Sequence, residues 1–81
     1  MATRYDLESW IIEALGGFPN QRGKIVDICR HVWAIHEQDL RSSDDLFFTW
    51  QYDIRWAANR LRDRKIMKPA EMSPKGVWEL A

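Results

Sequence analysis

Cysteine is almost missing from this chain: Cys29 stands alone among 81 residues. No internal disulfide is available, and with no CxxC or Cys/His cluster beside it an intracellular, reducing location is expected. Cys29 itself reads as a small core residue. Long apolar runs are absent as well, none approaching the roughly 20 residues of a membrane-spanning helix. The opening MATRYDLESW lacks the apolar block of a secretion signal, so the expectation is a soluble, cytoplasmic protein with no membrane partner. Net charge of either sign is missing too, because 12 basic residues balance 12 acidic ones. That removes the usual compositional argument for nucleic-acid binding.

Catalytic signatures are equally sparse. There is no Gly-rich phosphate loop, no nucleophile-elbow sequence and no acid pair flanking an evident pocket. Asp27 and His31 stand four apart on one helix, but no third ligand is spaced to join them around a metal, and His36 points elsewhere. Neither an enzyme nor a metal or cofactor site is expected. No internal repeat, low-complexity tract or long linker divides the chain, so residues 1–81 are read as one domain.

What is present is aromatic mass and period. Five tryptophans, each able to bury about 150–250 Å², suit a small domain whose core is otherwise marginal. Asp6 is placed to cap a first helix with Leu7, Trp10, Ile11, Ala14 and Leu15 on one side, which Gly16-Gly17 would end through a left-handed conformation. FPNQRG is a turn or a very short strand. Ile25, Ile28, Cys29, Val32 and Ile35 mark a second amphipathic helix ending near Glu37. EQDLRSSDD is a polar connection, with Ser43 or Thr49 as the cap of a third helix and Asp44 and Asp45 suited to its first turn.

The third helix carries Trp50, Ile54, Ala57, Ala58 and Leu61 on one stripe of a 3.6-residue period. Its opposite arc collects Tyr52, Trp56, Asn59, Arg60 and Asp63, with Gln51, Arg55 and Arg62 on one flank and Asp53 and Arg64 on the other. A hairpin is expected behind it. Ile66 and Met67 would form one strand, Ser73-Pro74-Lys75-Gly76 a type I turn at the tip, and VWELA the return strand, with Trp78 and Leu80 inward and Val77 and Glu79 outward. The predicted fold class is α+β, mainly helical: a winged helix-turn-helix of three helices and a C-terminal two-stranded wing.

Charge distribution adds a second signal. Residues 1–50 hold five Lys/Arg against eight Asp/Glu, whereas residues 51–81 hold seven against four. The chain is electrically polar, its basic half being the reader helix and wing. The plainer account of Arg62, Arg64 and Lys65 is that they complement the dipole at a helix C-terminus.

The segments RWAANRLRDRKIMKP and KGVWELA resemble the winged-helix domain found at the N-terminus of Mrr-type restriction endonucleases. They are similar to that family's Arg-Trp-Ala-x-x-x-Leu helix and its Arg-Gly-Val-Trp-x-Leu wing strand. Leu15-Gly16-Gly17, the basic-Gly turn after it and the helix beginning at Ile25 support the likeness, which covers most of the chain. Two details depart from the pattern: Lys75 stands where the wing usually carries Arg, and Ile66-Met67 follows Arg64-Lys65 where a Gly-Leu-Leu turn is commoner. The resemblance implies DNA binding, with nuclease chemistry belonging to a separate domain that this sequence does not contain.

Two functions are therefore weighed. In the first, helix three (about 50–65) enters the major groove and the wing (about 66–80) lies on the flanking backbone of duplex DNA, bound weakly and mostly through phosphates. Arg55, Arg60 and Lys75 are the expected phosphate contacts, and Thr49, Gln51, Tyr52, Trp56 and Asn59 lie on or near the groove-facing surface. For Arg55 the alternative is an ion pair to Asp53, Glu71 or another nearby carboxylate, for Lys75 it is a solvated turn residue, and for Trp56 it is cover by helix one or the wing. In the second, the same scaffold is a protein-interaction module or homodimer that uses Phe47, Phe48, Tyr52 and Trp56.

Overall fold

The computed structural model describes residues 2–81. Three helices, α1 (Asp6–Gly17), α2 (Ile25–Arg41) and α3 (Asp45–Asp63), enclose the core, and two short strands, β1 (Arg22–Lys24) and β2 (Val77–Glu79), pair antiparallel beside them. This is an α+β, mainly helical arrangement in a winged-helix-like layout. Ile11, Ile28, Val32, Ile54 and Leu61 are fully buried, and Trp10, Ala58 and Trp78 nearly so; Leu80 is only partly covered at the edge.

The ends of α1 differ from expectation in a physically simple way. Asp6 does not precede the helix but sits in its first turn, and its Oδ2 accepts the Thr3 N–H at 2.8 Å while Asp6 N–H donates to the Thr3 carbonyl at 3.0 Å. That reciprocal pair is half a capping box begun at Thr3. Gly16 and Gly17 keep negative φ; the left-handed residues come later, at Asn20 (φ 58°) and Gln21 (φ 55°), within a single helical turn Pro19–Gln21.

In α2 the apolar stripe runs as read through Val32, but Ile35 is 59% exposed. The inward slot goes to His36, whose ring stacks on Trp10 at 3.9 Å with the planes 7° apart. The backbone breaks there (φ −114°, ψ 17°), one residue before the expected end, and the helix then resumes to Arg41.

Helix α3 begins at Asp45, ahead of the approximate start at residue 50 and one residue after the start that a Ser43 cap would give. Asp44, with φ 48°, precedes it and Asp45 opens it, and neither Ser43 nor Thr49 caps it with a side chain. The Ser43 hydroxyl instead donates to the Asp39 carbonyl and accepts the Ala2 N–H at 2.9 Å, tying the N-terminal segment to the α2–α3 connection. Thr49 lies inside the helix and donates to Asp53 Oδ2 at 2.7 Å. The C-terminus closes with Lys65 N–H on the Arg62 carbonyl (3.0 Å) and Ile66 N–H on the Leu61 carbonyl (2.9 Å), Lys65 standing at φ 62°. This is a Schellman closure with lysine where glycine is usual.

The sheet corrects the expected hairpin. Val77–Glu79 pairs with Arg22–Lys24, in the register Arg22 with Glu79, Gly23 with Trp78 and Lys24 with Val77. The segment after α3 contributes only a bridge, Met67 to Leu80, and a single helical turn at Ala70–Met72 lies between them. Gly23 is required there, because a Cβ would collide with the Phe18 ring. The tip turn falls one residue later than read: Val77 N–H donates to the Pro74 carbonyl at 3.1 Å, and Gly76 supplies the left-handed φ of 78°. Glu79, expected outward, is buried under Arg22 and Lys68, with their nitrogens 3.9 and 3.6 Å from Oε1.

Candidate nucleic-acid interface

Helix α3 presents two flanks with different neighbours. On the wing side, Arg55, Asn59 and Arg62 face Lys75 and Trp78 across a groove of about 550 Å³. The same wall continues into a shallower hollow of about 760 Å³, where Gln51 and Arg55 meet Lys24, Val26 and Lys75. Arg55 and Lys75 line both. The closeness of turn and helix has a backbone cause: Ile25 N–H, at the start of α2, donates to the Gly76 carbonyl at 2.9 Å, which fixes the wing turn over the α2–α3 crossing.

The electrostatics of this flank are basic. Arg55 and Lys75 form no ion pair among the described residues, whereas Arg62 donates through Nε to the Lys68 carbonyl at 3.1 Å and is thereby committed to the wing's base. Burial pushes the Cys29 thiol up, with the nearby Arg55 charge opposing that shift. Cys29 is half-buried rather than part of the sealed core, and as a protonated thiol it is a poor nucleophile.

The opposite flank faces α1. Trp56 is partly covered, with Tyr5 edge-on at 5.4 Å and the Arg4 guanidinium 4.2 Å over its ring. Arg60 Nε donates to Glu8 Oε2 at 3.0 Å, and Arg64 donates to Glu8 Oε1 at 3.1 Å. Cover from the N-terminal side thus takes Trp56 off the free outer face. Arg60 is turned away from Arg55 and Lys75, so these three do not form one continuous basic surface.

Of the residues singled out from sequence, Gln51, Arg55, Asn59 and Lys75 are brought together along the wing groove. Tyr52, 78% exposed, stands on the outer arc between the flanks, while Thr49, Trp56 and Arg60 belong to the far side. Lys24 was missed. Its signal was present in the basic-Gly turn Arg22-Gly23-Lys24, but only the pairing of Lys24 with Val77 puts it beside Lys75.

The titratable groups of the second helix are arranged otherwise than as a metal pair. Asp27 lies 3.7 Å from Arg30, and His31 and His36 both approach Glu13 Oε1, at 3.9 and 3.1 Å. Among the described residues no group of three His, Cys, Asp or Glu is placed to hold a metal ion, and no helix is long and apolar enough to cross a membrane. No protein-family model, curated protein or solved structure matches the chain.

Proposed function

We propose that this domain binds duplex DNA, with the wing-side flank of α3 toward the major groove and the Pro74–Val77 turn on the adjacent backbone. The observation that carries the reading is the pairing of Arg55 and Lys75. They come from elements 20 residues apart, have no carboxylate partner among the described residues and line one groove. Unpaired cations converging on a concave surface favour a polyanion. Lys24 extends the same edge. Gln51 and Asn59 supply amide groups of the kind that pair with adenine edges, and Tyr52 stands on the exposed arc beside them.

Three phosphate contacts, from Lys24, Arg55 and Lys75, give a slope of roughly −3 in log K against log[salt], so binding is weak at high salt. The reading is tested by titrating random duplex DNA into the domain at low and moderate salt while following amide shifts. Shifts on α3, Lys24 and the wing turn, reduced in Arg55→Ala and Lys75→Ala, support it. Absence of shifts at about 1 mM duplex in low salt, or shifts centred on α1, overturns it.

A further inference from the structure

A second surface adjoins the wing groove, sharing Val26, Cys29 and Gln51 with its wider hollow. Between α2 and the first half of α3 lies a mainly apolar hollow of about 500 Å³ lined by Val26, Cys29, Trp33, Phe47 and Trp50, with Arg30 and Gln51 at its rim. Trp33 stacks on Trp50 at 6.0 Å, and Arg41 lies 5.2 Å over the Trp33 ring, so indole faces and alkyl stems continue to the far end of α2. Val26 is 53% exposed and Phe48 83%, an open apolar surface of the kind that marks interaction sites.

The order of residues along this edge of α2 is the informative part. Val26, Arg30, Trp33, Ala34, Glu37 and Arg41 are spaced by four, three, one, three and four, a symmetric series centred between Trp33 and Ala34. Two copies packed antiparallel about a twofold axis through that centre bring Arg30 of one toward Glu37 of the other, twice, with Glu37 and Arg41 carried on the short segment that follows the break at His36. The exposed Ala34 lets the backbones approach beside the two Trp33 rings. Within a single chain Arg30 lies 3.7 Å from Asp27, with its side chain 77% exposed, and Glu37 bonds Arg41 at 2.7 Å. Both pairs remain open to a further opposite charge. A net charge of zero leaves no overall repulsion between copies.

We infer that this α2 edge and its aromatic hollow form a self-association surface whose occupant is a second copy of the chain, joined in an isologous, antiparallel α2–α2 contact. The inference does not depend on DNA binding, and its test contains no nucleic acid. Sedimentation equilibrium from about 10 µM to about 1 mM in low salt is expected to show a monomer–dimer equilibrium. Arg30→Glu and Glu37→Arg each place like charges across the axis twice and are expected to weaken dimerisation about tenfold, while the double variant restores it. Val26→Lys, at an exposed position, is expected to weaken it as well, and circular dichroism verifies that each variant is folded. A monomer at every concentration overturns the inference and leaves the hollow to a different protein. A dimer indifferent to all of these substitutions overturns it by placing the interface elsewhere.

Discussion

Glu8 and Arg60, 52 residues apart, form a hydrogen-bonded ion pair at 3.0 Å that fastens the start of α1 to the last turns of α3. The Glu8 side chain is only 9% exposed, and its second oxygen is occupied by Arg64. Removing that carboxylate leaves two guanidinium groups facing one another, so Glu8→Ala is expected to lower stability by about 1–2 kcal/mol. The figure is held down because both arginines remain in contact with water. Urea unfolding measures it, and an unchanged midpoint would show that the pair contributes nothing.

The same geometry separates the arginines of α3 by role. Arg55→Ala is expected to weaken DNA binding and to make the salt slope shallower by about 1, with little effect on the urea midpoint. Arg60→Ala is expected to do the reverse. Duplex titrations at several salt concentrations, run beside denaturation curves, distinguish the two; equal losses of affinity would refute the division of α3 into two flanks.

Lys65 adopts φ 62° in the Schellman closure of α3. A non-glycine residue in that conformation carries a cost that glycine does not. Lys65→Gly is therefore expected to stabilise the domain by about 0.5–1 kcal/mol, measurable as a raised urea midpoint. A loss of stability instead would mean that the lysine side chain contributes more than its backbone conformation costs.

Leu61 is fully buried at the base of the α3 core stripe. Leu61→Ala is expected to cost about 2–5 kcal/mol, a large part of the stability of a domain this small. Near-wild-type unfolding would contradict the packing of α3 described above.

Glu79 supplies a pH dependence. The Ser73 hydroxyl, beside it but short of a completed hydrogen bond, and the Lys68 and Arg22 charges hold its carboxyl below the ordinary carboxylate range against the opposing effect of burial. A carboxylate depressed in the folded state stabilises the fold at pH values above its unfolded pKa, about 4.3. That contribution is lost as pH falls through the lower folded value. Glu79→Gln is expected to lower stability at neutral pH and to flatten the acid limb of a stability–pH curve. An acid limb identical to that of the parent protein would remove Glu79 from the account.

The sequence by itself determined the helices and most of the core, because the 3.6-residue recurrence of Trp10, Ile11, Ile28, Val32, Ile54 and Leu61 is a local property of the chain and burial follows from it. It also placed Arg55 on the same flank of α3 as Gln51 and Arg62, since angular position on a helix needs no knowledge of neighbours. Tertiary structure alone decided the partners. Val77–Glu79 pairs with Arg22–Lys24 across more than 50 residues rather than with Ile66-Met67, because the strand that reaches its open edge is selected by how α2 and α3 cross. The same crossing brings Lys24 to Lys75, and the packing of α1 against α3 commits Arg60 to Glu8. Charge pairing over such separations depends on distances of 3–4 Å, which periodicity along the chain does not encode.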